Sequence, residues 1–103
     1  MPLHVQRVQS LNYSAPAAAA VNTSSALEVA ANPARKYLLL VNASADKAMY
    51  LGIGSAAVSG SGIYLAAAGG SFEMITANLS PEAIYALCAS GGSNEVLTVQ
   101  EAT

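Results

Sequence analysis

The chain has 103 residues, a formal net charge of −2 and only 10% charged residues, against about 25% in an ordinary globular domain. That length supplies one small domain with a single core. The balance excludes intrinsic disorder. It also excludes nucleic-acid binding, since four Lys and Arg residues cannot form the basic surface phosphates require, and no apolar run approaches the roughly 20 residues of a membrane span.

Residues 1–14 alternate loosely, with Leu3, Val5 and Val8 against His4, Gln6 and Arg7, which suggests one extended segment. Residues 15–25 contain four consecutive alanines, too few to nucleate a helix alone. They read as a linker or a slender extended segment, so the expected organisation is an arm and linker over 1–25 and a folded domain over 26–103. From Ala26 onward, short apolar segments alternate with turn residues. Ala26 to Ala31 closes on Asn32-Pro33. Lys36 to Asn42 reads Lys-Tyr-Leu-Leu-Leu-Val-Asn, the pattern of a strand buried on both faces or sealed by a neighbour on its outer face. Further strand candidates run from Ala48 to Ile53, Gly62 to Ala66, Ser71 to Ile75, Ala83 to Ala89 and Glu95 to Glu101.

Turn signals every 8–12 residues predict an all-β domain, a small antiparallel β-sandwich or jelly-roll-like barrel of about seven short strands, with an extended N-terminal arm. The alternative is an α+β fold with a helix at 15–31 or 82–89, since Ser80-Pro81-Glu82 resembles a helix start. The expected core is Leu38, Leu40, Met49, Leu51, Ile53, Ile63, Leu65, Ile84, Leu87, Leu97 and Val99. One internal echo stands out. Ile63-Tyr64 and Ile84-Tyr85 each lead through small residues to Gly-Gly-Ser, one residue, Glu and an apolar residue. The glycine pairs suit tight turns, so the echo predicts two similar hairpin elements.

No catalytic apparatus is visible, and the expectation is a non-enzyme with no cofactor and no metal. The single histidine, His4, lies in the arm, and the single cysteine, Cys88, reads as a small buried hydrophobe. One cysteine excludes an internal disulfide framework, which leads to a reducing cytoplasm as the expected site of folding. The six acids are scattered; Glu73 and Glu95 hold equivalent places in the echo and could pair, but acids closing strand turns are the simpler reading. Gly52-Ile53-Gly54-Ser55-Ala56-Ala57 matches a loose dinucleotide fingerprint, yet Val58-Ser59-Gly60-Ser61-Gly62 follows where a helix is required.

What remains is surface physics. Of the 53% hydrophobic residues, 22 are alanine, so the core is ordinary in size and the anomaly lies outside it. A monomer of 10.4 kDa exposes roughly 5,400 Å², a large area for so few charges. Depleted charge marks interface cores. Sister subunits or a scaffold covering the surface would account for it. The arm, through Leu3, Val5, Arg7, Val8, Leu11 and Tyr13, is the candidate contact to a neighbour or shell, by strand addition to a free sheet edge. Arg35 and Lys36 are the only adjacent basic pair and a candidate contact for an acidic partner; the alternative is a pair of solvated strand-edge charges.

Several stretches resemble small virion proteins of tailed bacteriophages. They are Ala31-Asn32-Pro33-Ala34-Arg35-Lys36-Tyr37-Leu38-Leu39-Leu40-Val41-Asn42, Met49-Tyr50-Leu51-Gly52-Ile53-Gly54, Gly62 to Glu73, Ile84-Tyr85-Ala86 and Leu97-Thr98-Val99-Gln100-Glu101. The resemblance covers about residues 26–101 and consists of strand-and-turn motifs. It implies a small β-sandwich attached to the outer capsid surface, a cement or decoration protein acting as a homotrimer with the major capsid protein as partner. A tail, fibre or adaptor component is the alternative, and a small-ligand-binding β-barrel with His4 or Cys88 in its pocket is a second. The resemblance transfers no catalytic residues.

Overall fold

The computed structural model describes residues 10–103. Eight strands form: β1 (Ala17–Val21), β2 (Ala26–Val29), β3 (Tyr37–Asn42), β4 (Met49–Ile53), β5 (Ile63–Leu65), β6 (Ser71–Met74), β7 (Ile84–Cys88) and β8 (Glu95–Ala102). A single 3-10 turn spans Thr76–Asn78. The two helices considered as an alternative at 15–31 and 82–89 are strands instead. Among the described residues, no helix is long and apolar enough to cross a membrane.

The strands lie in two antiparallel sheets, ordered β1-β8-β3-β6 and β2-β7-β4-β5. Strand pairs β1–β8, β2–β7, β3–β6 and β4–β5 nest inside one another along the chain. This is one long hairpin rolled into a sandwich, the jelly-roll winding. Only β4 and β5 are consecutive neighbours in one sheet; every other connection crosses to the opposite sheet.

That winding revises the reading of the echo. Its two copies are β5–β6 and β7–β8, and each carries the chain from the second sheet to the first. They are arches between sheets, not hairpins within one. Gly69 and Gly91 take φ of 119° and 91° at the corners, a region open to glycine at little cost.

The alternation in each strand divides core from exterior. In β3, Leu38, Leu40 and Asn42 are buried while Tyr37, Leu39 and Val41 are half-buried on the outer face. The core comprises Val21, Val29, Leu38, Leu40, Met49, Leu51, Leu65, Met74, Ile84, Ala86, Cys88 and Leu97, with Ile53, Ile63, Phe72 and Val99 packed against it. Leu87 is buried but lies outside this cluster. Alternation in β7 turns Ile84, Ala86 and Cys88 inward.

The expected boundary at residue 25 does not divide the fold. Ala17–Val21 is β1, paired with Glu95–Val99 of β8, and Val21 is fully buried in the core. The alanines build a strand here because pairing with β8 supplies the hydrogen bonds and Ala19 and Val21 supply the inward face. Residues 12–14 continue along the end of β8: Asn12 and Thr103 exchange backbone hydrogen bonds, and Ser14 N–H donates to the Glu101 carbonyl.

Cys88 faces the core, where burial pushes its thiol above the ordinary value. The native chain is therefore expected not to react with a thiol reagent at neutral pH, and to react fully in denaturant. Rapid labelling of the folded chain would contradict the burial.

Candidate functional site

Arg35 does not meet solvent. Its side chain is fully buried, and Nε donates to Glu101 Oε2 at 2.6 Å. Nη1 donates to the carbonyls of Ser80 and Glu82, and Nη2 to that of Ala30. Arg35 is a staple joining the β2–β3 turn, the loop before β7 and the end of β8. This corrects both sequence readings, partner contact and solvated edge charge. The guanidinium is tolerated inside because a carboxylate and three carbonyls satisfy it. Lys36 beside it is exposed.

Of the arm residues, Leu3, Val5, Arg7 and Val8 lie outside the described residues, as does His4. Leu11 and Lys36 line a groove of about 190 Å³ with Tyr37, Ile75 and Thr76. Tyr13 stacks edge-on against Tyr37 with ring centroids 6.0 Å apart, yet stays 60% exposed. Ala102 lies between these two tyrosines in the sheet and is fully buried. Exposed Ile75 and Leu79 extend this apolar end of the sandwich.

The two broad faces carry the main feature. On the first sheet, the register places Ala18, Thr98, Val41 and Ser71 in one outward row. Gln100, Leu39 and Glu73 form the next, and Val96 with Ala20 lies on the other side. Glu73 is the single ionisable carboxylate among these residues, and its Oε2 accepts the Tyr37 hydroxyl at 2.7 Å. On the second sheet, one outward row is Leu87, Tyr50 and Tyr64, and the next is Leu27, Tyr85 and Gly52. None of these six is charged. The Tyr50 and Tyr64 rings lie 5.4 Å apart, while Leu27 and Tyr64 are more than half exposed.

The β4–β5 loop folds over part of the second face. A Cβ on Gly52 would press on the carbonyls of Ser55 and Ala56, so only glycine admits the loop there. Ala57 N–H then donates to Ser25 Oγ at the start of β2. The loop also roofs a cleft of about 350 Å³ lined by Leu51, Gly52, Ile53, Ser55, Ala56, Val58, Ser61, Gly62 and Ile63. No titratable side chain lines it, and Cys88 is not among its walls.

Glu95, like Glu73, serves structure. Glu95 accepts from Ser44 Oγ at 2.6 Å and from Ser93 N–H, and these bonds hold its carboxyl below the ordinary value. Glu73 and Glu95 do not pair. Glu73 lies in the row of Gln100, five residues along β8 from Glu95, or about 17 Å. Among the described residues, no three His, Cys, Asp or Glu side chains group as metal ligands. The loose glycine fingerprint at Gly52 runs into the irregular β4–β5 loop, where no helix begins.

Glu28 is the outlier. It sits at the β2 bulge between Leu27 and Val29, and one carboxylate oxygen is buried without a hydrogen-bond partner. Burial pushes this carboxyl above its ordinary value. A raised folded pKa means the ionised form costs stability at neutral pH, and that cost vanishes as pH falls through the folded pKa. Glu28→Gln is therefore expected to raise Tm at about pH 7, with the gain shrinking toward about pH 4. An unchanged or lowered Tm at neutral pH would contradict this placement.

The tyrosine face escaped the sequence reading. Alternation along Ala48–Ile53 and Gly62–Ala66 places Tyr50 and Tyr64 opposite the core residues, but adjacency of β4, β5 and β7 is a fact of winding. No protein-family model, curated protein or solved structure matches this chain.

Proposed function

We propose that this domain is a non-enzymatic structural protein of a tailed-phage virion. It acts as a cement or decoration protein on the outer capsid surface, with the major capsid protein and copies of itself as partners. The observation that carries this reading is the pair of broad sandwich faces with one carboxylate between them. Ordinary outer faces of antiparallel sheets alternate to polar and charged residues. Faces without charge lose little on being covered, whereas a buried unpaired charge costs several kcal/mol. Exposed Tyr64, with half-buried Tyr50 and Tyr85 beside it, is of the residue type that anchors interfaces, and exposed Leu27 adds apolar area to the shell contact. In this reading the arm residues Leu3, Val5, Arg7, Val8, Leu11 and Tyr13 add a contact to a neighbour or the shell. A jelly roll is also a frequent capsid architecture, which supports the reading by analogy of fold alone.

Binding only the assembled shell stabilises it by mass action. The test is co-sedimentation with expanded capsids at micromolar concentration. The expected result is saturable binding that raises the temperature at which capsids disassemble, weakened by Tyr64→Glu. Protein that stays wholly in the supernatant would refute the proposal.

A further inference from the structure

We propose that the outer face of the first sheet is a self-association surface, paired face to face with the same face of a second copy about a two-fold axis. This deepens the homo-oligomer part of the reading above, and it departs from the trimer that the resemblance implies.

The argument starts from β3. Its core side is filled by Leu38, Leu40 and Asn42, yet Leu39 and Val41 on the opposite side are also large and apolar. Their row neighbours across β8 and β1 are Thr98, Ala18 and Gln100, with Val96 and Ala20 adjoining. The result is a surface with an aliphatic ridge and small residues beside it, bounded at one end by Tyr37 and Tyr13.

Charge decides the occupant. The face holds no cation, and its one carboxylate, Glu73, lies on the edge strand β6 and is engaged by Tyr37. A partner presenting acidic or basic groups to the ridge would leave them desolvated and unpaired. A surface with equally little charge meets no such penalty, and the chain's own face is one. A two-fold axis running along the strands sets β8 over the partner's β3 and each Glu73 over the partner's β1 side, so the two carboxylates do not meet.

Closure argues the same way. Packing this face onto the second-sheet face of the next copy would join opposite sides of the sandwich, and repetition would give an open stack. The same face on both copies closes at two. Four strands at about 4.8 Å spacing and six residues at about 3.4 Å rise give a footprint near 400 Å² per copy. Side-chain relief adds to that, which brings the pair to the lower range of specific interfaces, around 1,000 Å² in total. Association is accordingly expected in the micromolar range, since area alone does not secure tight binding.

The experiment is sedimentation of the full chain from low micromolar to near-millimolar concentration. The expected result is a reversible shift from 10.4 kDa to twice that mass. Val41→Glu and Thr98→Lys each place a charge on the face without touching the core, and each is expected to weaken association roughly 100-fold or more. Mixing the two variants is expected to restore association, because the introduced charges then attract across the interface; a folding defect would not be rescued in this way. Tyr64→Glu on the opposite sheet is expected to leave association unchanged. A chain that is monomeric throughout, a trimer, or loss of association by Tyr64→Glu but not by Val41→Glu would each overturn the pairing. A monomer that still sediments with capsids would overturn the pairing and leave the shell reading standing.

Discussion

Arg35→Ala is expected to lower the unfolding free energy by about 3–5 kcal/mol, the usual cost of removing one partner from a buried ion pair. Among the described residues the guanidinium is the one group holding Glu101 Oε2, and it also satisfies the Ser80, Glu82 and Ala30 carbonyls. Its loss strands a carboxylate that is 18% exposed and frees three loop segments from one another. A small domain has only about 5–15 kcal/mol in total, so the variant should unfold near physiological temperature. The double variant Arg35→Met with Glu101→Leu is expected to retain clearly more stability, because no unpaired charge remains. Urea midpoints at unchanged slope measure both. A loss below about 1 kcal/mol for Arg35→Ala would mean that the staple is solvated and that Arg35 is free to meet a partner after all.

Asn42→Leu comes next, with an expected loss of about 2–4 kcal/mol. Leucine matches the side chain in heavy-atom number and branching but carries bulkier methyl groups, so the loss combines the missing hydrogen bonds with some overpacking. Asn42 is fully buried at the end of β3. Its Nδ2 donates to the carbonyls of Lys47 and Leu65, and its Oδ1 accepts from Ser44 N–H. Its backbone N–H and carbonyl bond Gly70 and Gly69 in the β5–β6 arch. One amide thereby joins the β3–β4 turn, the end of β5 and the arch. Leucine would leave two carbonyls and one N–H in the interior without partners. A change below about 1 kcal/mol in the same denaturant series would show that water replaces these bonds.

These two residues show where sequence reasoning stops. Alternation in β3, β4 and β8 identified the inward leucines, because a period of two maps directly onto the faces of a strand. It could not assign Arg35, whose partners apart from the nearby Ala30 carbonyl are 45 to 66 residues away, and a basic pair before a strand looks the same whether solvated or buried. It missed β1 for a related reason. Alanine carries little strand propensity of its own, and the pairing with β8 that fixes Ala17–Val21 spans the length of the fold. The same distance hid the tyrosine face, whose members come from β4, β5 and β7. The low charge content, in contrast, was legible from composition. Its distribution was not: among the described residues the few charges lie in the interior staple, the turns and the edge strands, and Glu73 is the one carboxylate in the rows of the two broad faces.

The central claim is that these broad faces are covered in an assembled particle. It is tested most directly by imaging particles that contain this chain and locating its density. The account predicts a two-sheet jelly roll on the outer capsid surface in hundreds of copies, with the tyrosine face of the second sheet against the shell. Density confined to the tail, or a chain absent from the purified particle, would contradict it.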